Sequence, residues 1–301
     1  MTGRPSQPRR LAAGLRALAA AALLALAPTL AEAKPPVWTV HTPQGATLTL
    51  FGSVHLLPSG LDWRPAALDD ALASADEVWF ELPITPKAAN EAGAASLARG
   101  ALPKDRRLTA LLSADETLRL VQAATRLHCA PEAIDRMQPW MAELTLSVAE
   151  DARSGADASS GVEDEIQLQA PPAVKRRSFE TPSQQIEFLA GASVKDQVAS
   201  LNWTVAEIVN DPTSYQRVVE EWMDADLAGL KRDANDPLER VSPGLYQRLI
   251  VKRNRRWADR LADRLHSPGR IVVVVGIGHM IGPDGLPALL RARGFDVQGP
   301  S

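Results

Sequence analysis

One short phrase occurs near each end of this chain, and its two copies limit the possible folds more than anything between them. Residues 52–60 read Gly-Ser-Val-His-Leu-Leu-Pro-Ser-Gly, and residues 276–285 read Gly-Ile-Gly-His-Met-Ile-Gly-Pro-Asp-Gly. Each copy follows an apolar β-type run, Leu48 to Phe51 in the first and Ile271 to Val275 in the second. In each, a histidine stands three residues after a glycine, and a Pro-x-Gly turn and a helical pattern follow. Ligands of open α/β sheets bind beyond the carboxyl ends of the strands, where His55 and His279 are expected. Gly52 and Gly276 allow the tight turn that lets each ring face that crevice. Two histidines at one sheet edge point to a metal or to acid–base chemistry. His41, His128 and His266 lack this context and are read as bystanders.

The first 33 residues are set aside before any fold is considered. Arg4, Arg9, Arg10 and Arg16 flank or begin an Ala/Leu run, and Ala31-Glu32-Ala33 has the small residues of a cleavage site. This is the pattern of a secretory signal peptide cut after Ala33, which predicts a periplasmic or secreted protein without a membrane span after cleavage. The alternative is an uncleaved anchor, since the run approaches spanning length. The whole chain carries a formal net charge of −3, and loss of the four arginines and one glutamate leaves about −6. That acidity argues against nucleic acid, which calls for a basic patch. Cys129 is the only cysteine, so no internal disulfide forms, and it is read as an inert buried residue of a helix.

Residues 37–57 read as a hairpin with strands Val37 to Val40 and Thr47 to Phe51. A helix is expected over residues 62–75, then a strand from Glu77 to Leu82 closed by Pro83. Residues 88–265 read as a mostly helical insertion, with Ser113 a helix N-cap and Ser154 to Gly161 a loop. Strand 271–275, helix 286–293 and a last strand at Phe295 to Val297 finish the chain. The predicted fold class is α/β (α+β): one domain over residues 34–301, with a mixed sheet built from both ends of the chain and the helical insertion between them.

Three further residues stand out. Glu81 lies at the carboxyl end of an apolar strand, where a buried carboxylate needs a cation, a metal or hydrogen bonds. The competing expectation is an edge strand with Glu81 in solvent. Arg253 and Asn254 fall on the apolar stripe Leu245, Leu249, Ile250, Trp257, Leu261 of a helix read from 245 to 265. A guanidinium on that face needs a carboxylate or an anionic ligand, a structural ion pair being the simpler reading. Gly276-Ile277-Gly278 with Gly282 also resembles a dinucleotide fingerprint, but too little chain follows for the βαβ units that fold requires. Seven tryptophans leave room for an exposed aromatic patch, expected at Trp203 or Trp222.

Taken together, these residues resemble the TraB/GumN family, bacterial relatives of the Tiki metalloproteases, over nearly all of residues 34–301. The resemblance rests on the paired Gly-x-x-His motifs, the tail Gly282 to Phe295, Glu81, Gln138 to Ala142, Glu180-Thr181 with Gln185, and Arg253-Asn254 before Trp257. Phe179 departs from the aliphatic residue usual before Glu180-Thr181. The resemblance implies a fold like the erythromycin esterase and ChaN-type group. It further implies that His55, His279 and Glu81 line one site with Arg253 and Asn254 beside it, and that the chemistry is divalent-metal-dependent peptide hydrolysis.

The leading expectation is therefore a hydrolase, a peptidase by resemblance, with a divalent cation (Mn, Zn, Co or Fe) on His55, His279 and Glu81. Glu81 serves as ligand or general base, Arg253 meets the developing oxyanion, and Asn254 orients substrate or water. Its partner is a peptide or small-molecule substrate drawn into a pocket lined by the helical insertion. One alternative drops the metal and uses His55 as general base, oriented by Glu81. Another is a non-catalytic periplasmic protein binding metal, haem or peptide.

Overall fold

The run Ile271 to Val275 is apolar at every position, as expected of a strand covered on both faces. In the computed structural model, which describes residues 34–157 and 160–300, it is the middle of the sheet. The strands are β1 (Val37–His41), β2 (Ala46–Ser53), β3 (Leu57–Pro58), β4 (Glu77–Phe80), β5 (Ala156–Asp157), β6 (Lys175–Ser178), β7 (Gly269–Gly276) and β8 (Val297–Gln298). Six form one mixed sheet in the order β6-β4-β7-β2-β1-β8, and β3 pairs with β5 separately. The fold is mixed α/β, and residues 34–301 form one unit. The expected signal segment, residues 1–33, lies outside the described residues. No described helix is long and apolar enough to cross a membrane.

The expected hairpin is present, with β1 antiparallel to β2. Strand β7 lies parallel between β2 and β4, so the two ends of the chain do share a sheet. Strand β5 lies inside the expected loop Ser154 to Gly161, and a longer strand was not expected either. The segment Lys175-Arg176-Arg177-Ser178, inside the supposedly helical stretch, forms β6 and pairs in parallel with β4. Its first three residues are exposed, as befits a charged outer strand, and this charge hid it from an apolar-pattern reading. Because β6 covers β4, Glu81 does not project from an edge strand into solvent; it is buried.

Aromatic and aliphatic side chains from both faces of the sheet form the main core, including Trp38, Phe51, Trp63, Trp222 and Trp257. Each large aliphatic side chain buried there contributes about 1.5–3 kcal/mol. Trp222 is fully buried, its Nε1 donating to Gly52 O at 2.8 Å, so it forms no exposed patch. Trp203 is partly exposed. The helices Ala114–Arg126, Pro139–Arg153 and Val194–Asn210 enclose a second core around Leu120, Leu146 and Leu201. Ser113 caps the first of them with a reciprocal Glu116 bond. Cys129 sits past the end of that helix and is half-buried, not inside it.

Candidate functional site

The sheet register assembles the site. Ser53 pairs with Gly276 across β2 and β7, so both Gly-x-x-His turns leave adjacent parallel strands at one level. Phe80 pairs with Val274, which brings Glu81 to the same edge from β4. Beyond β6, Phe179 N donates to Phe80 O and Glu180 N to Glu81 O, delivering Glu180 alongside. Four neighbouring parallel strands thus present His55, His279, Glu81 and Glu180 at their carboxyl ends. Gly276 stands among them: a Cβ there would lie 3.3 Å from Glu81 Oε1 and 3.5 Å from His55 Nε2. A side chain there would touch His55 and press Glu81 back by a few tenths of an ångström.

The helix carrying Arg253 and Asn254 is not the continuous one expected over residues 245–265. A π-turn, Gln247–Val251, interrupts it, and the α-helix proper is Lys252–Arg264. Such single wide turns insert a residue and re-aim the face that follows them. Arg253 and Asn254 are nonetheless buried, as their place on the apolar stripe required. Arg253 Nε donates to both Glu180 oxygens at 3.0 Å, Nη2 to Glu81 Oε2 at 2.5 Å, and Nη1 to Leu249 O at 3.1 Å. Trp257 lies under the guanidinium at 4.6 Å and donates its Nε1 to Glu180. Phe179, the aromatic departure, stacks on Trp257 at 4.8 Å between centroids and extends the aromatic packing toward Trp79. The expected use of Arg253 on an oxyanion therefore competes with these protein partners.

The state of His279 follows from Asn254. The Asn254 amide Nδ2 donates to His279 O at 3.2 Å and Asp284 O at 2.7 Å, so its Oδ1 faces His279 Nδ1 at 2.6 Å. The proton is thereby assigned to Nδ1, leaving the Nε2 lone pair to accept from Arg253 Nη1 at 3.1 Å. Asn254 thus positions the imidazole. Burial pushes His279 down to about 3, with Arg253 adding to the effect and Glu81 opposing it. Glu81 Oε1 lies 3.8 Å from His279 Nε2 and accepts from Gly276 N at 2.8 Å. Burial works against its charge, but His279, Arg253, His55 and the Gly276 N–H together lower it to about 2. Glu81 is ionised at any ordinary pH.

His55 is held differently. Its Nδ1 meets Glu163 Oε1 at 2.7 Å, and Ser53 Oγ donates to the same oxygen at 2.5 Å. Glu163 pushes the imidazole up to about 10, against a smaller opposing burial effect. The ring keeps 67% of its side-chain surface open, so the ion pair and not desolvation sets the direction. Burial disfavours the Glu163 charge, and His55 and Ser53 outweigh it, holding the carboxyl below its ordinary value. Glu163 was not foreseen. It opens the helix Val162–Gln169, and its only sequence signal was an acidic first turn after Gly161. A Cβ on Gly161 would lie 2.4 Å from His55 O, which shows how closely that helix start abuts the first motif.

The donor types fit a divalent cation. Both imidazoles have Nδ1 bound to an oxygen, as metal-bound histidines do, and the carboxylate between them is ionised. In the arrangement observed, Arg253 engages Glu81 Oε2 and His279 Nε2. Among the described residues no three His, Cys, Asp or Glu side chains stand close enough to hold an ion. His55 and Gly276 lie at one side of a cleft of about 740 Å³ walled by the helices Pro139–Arg153 and Val194–Asn210. A second crevice, about 550 Å³, lies at the amino ends of β4 and β7, away from every candidate residue.

The chain is 23% identical over 257 residues to the uncharacterized protein YbaP of Escherichia coli strain K12, covering 85% of this chain and 92% of that protein. The YbaP protein of Shigella flexneri matches with the same identity and coverage. No solved structure matches. The model of the TraB/PrgY/gumN family matches residues 36–299, and the chain belongs to that family.

Proposed function

We propose that this protein is an exported hydrolase of peptide or other acyl bonds, working with a divalent cation on His55, His279 and Glu81. The observation that carries the reading is the convergence of two oxygen-backed imidazoles and an ionised carboxylate at the carboxyl ends of adjacent strands, with His55 lining a large cleft. A cation there supplies Lewis acidity, activating water and polarising a carbonyl. The chain's own groups do the rest. Asn254 and Glu163 fix the ring orientations. Arg253, anchored on Glu180, keeps Glu81 ionised and would have to give up its contacts to Glu81 Oε2 and His279 Nε2 for those atoms to hold a cation. His55, open to the cleft, would release its Nε2 proton to solvent on taking a cation, while Glu163 keeps the proton on Nδ1.

Elemental analysis of the protein and of His55→Ala and His279→Ala variants tests this. Stoichiometric metal that is lost in both variants, with folding retained by circular dichroism, supports it. Full metal content in either variant rules out the shared site. The 2.7 Å His55–Glu163 pair favours one second reading, hydrolysis without metal, with the protonated His55, oriented by Glu163 in place of the expected Glu81, as general acid instead of the expected base. Activity that survives a chelator selects that reading.

A further inference from the structure

The cleft at His55 is specific in what it leaves unpaired. Helix Pro139–Arg153 turns Leu144, Val148 and Asp151 toward it, and helix Val194–Asn210 turns Trp203, Glu207 and Ile208. Spacings of four and three place Leu144, Val148 and Asp151 on one helical stripe, and the spacing of four does the same for Trp203 and Glu207. Leu144 and Val148 are exposed, 41% and 49%, and are the kind of surface apolar pair that marks a binding groove when it lines one.

Most charges around the cleft are neutralised within the protein. Arg217 pairs with Asp211 at 2.8 Å and Asp233 at 2.6 Å, Arg153 with Glu150 at 2.5 Å, and Arg232 with Glu221 at 2.5 Å. The side chains of Asp151 and Glu207 have no hydrogen-bond or ion-pair partner among the described residues. Arg240, exposed at the rim, is likewise without one. Burial, reinforced by Glu150 and opposed by His55, raises Asp151 to about 6; burial, Asp211 and Asp233 raise Glu207 against the pull of Arg217. Two carboxylates thus face the cleft without a direct partner beside an apolar wall, attracted only from a distance by His55 and Arg217, which are themselves paired with Glu163 and with Asp211 and Asp233.

We infer that the substrate brings an ammonium group to Asp151 and Glu207 while its aliphatic side chains lie along Leu144, Val148 and Trp203. The substrate class is then a peptide with a cationic amine next to apolar residues. An α-amine at the peptide N-terminus and a lysine side chain supply the same chemistry. This rests on the reading of the cleft as the substrate site, but it concerns binding and not turnover.

Calorimetric titration of the whole protein with three probes tests it: Leu-Leu-Leu amide with a free amine, its N-acetyl form, and acetyl-Leu-Leu-Lys amide. At least one cationic probe is expected to bind about tenfold more tightly than the neutral one, as for a partly desolvated ion pair. Which cationic probe gains distinguishes the α-amine from the side chain. In the Asp151→Asn, Glu207→Gln double variant that preference disappears, while the neutral probe binds as before. Equal affinity for all probes, a preference that survives the double substitution, or no binding of any probe overturns the inference. Hydrolysis is scored separately: binding with preference but no turnover under any metal condition sinks the hydrolase reading alone, and turnover without preference sinks the cationic subsite alone.

Discussion

The turn after β2 and the turn after β7 share a sequence pattern and leave neighbouring strands at one level, yet they hold their histidines in opposite states. His279 is buried, neutral and fixed by Asn254, with Arg253 on its lone pair. His55 is open to solvent, protonated and paired with Glu163. The motif fixes where the ring leaves the sheet. What packs against it fixes the charge: the Lys252–Arg264 helix brings an amide and a guanidinium, and the Val162–Gln169 helix start brings a carboxylate. A repeated motif therefore builds two unlike groups, one already neutral and one that must lose a proton before it can hold a cation.

The largest expected effect comes from breaking the buried half of this comparison. Arg253→Met leaves Glu81 and Glu180 buried without their cation and is expected to destabilise the protein by about 3–5 kcal/mol, measured by urea denaturation at pH 7. A loss within a few tenths of a kcal/mol would show that other groups compensate these carboxylates.

Asn254→Ala comes next, at roughly 1–3 kcal/mol, because His279 Nδ1 and two carbonyls lose their partner together. The His279 contribution also has a pH signature. Its folded pKa lies below the unfolded value near 6.5, so its contribution is present above pH 6.5 and is lost as pH falls toward about 3. Glu81 adds a contribution present above its unfolded value of 4.5 and lost as pH falls through about 2. A stability curve flat from pH 6.5 to 3 would contradict both assignments.

Glu163→Gln gives the smallest change in stability and the clearest spectroscopic one. Removing the carboxylate should return the His55 pKa from about 10 toward 6.5, read by NMR titration of the ring. The sign is opposite to that of His279: the His55 pair stabilises fully below pH 6.5 and fades as pH rises through about 10. The variant should thus lose stability at pH 6 relative to the native chain and match it above pH 10. An unchanged His55 titration would mean that Glu163 is not its partner in solution.

Much of the site was legible in the chain before its structure. The paired Gly-x-x-His turns, Glu81 after an apolar strand, and Arg253 and Asn254 on an apolar stripe all follow from local pattern, because a strand end, a glycine turn and a helical face are short-range features. The structure brings these residues to one sheet edge as expected. Glu163 and β6 were not legible. Glu163 reaches His55 from 108 positions further along the chain, through a helix start whose own sequence carries no trace of its target. The β6 strand reads as charged surface because only one of its edges is paired, and its partner β4 lies about a hundred residues away.

What the sequence determined by itself was the set of turns and faces: which histidines follow strands, which carboxylate ends one, and which cation lies on an apolar stripe. Tertiary structure alone decided protonation. The charge of an imidazole depends on burial and on the nearest charged or hydrogen-bonding group, and both are properties of packing between distant segments. That is why two copies of one phrase, indistinguishable by pattern, became a neutral buried histidine and a charged open one.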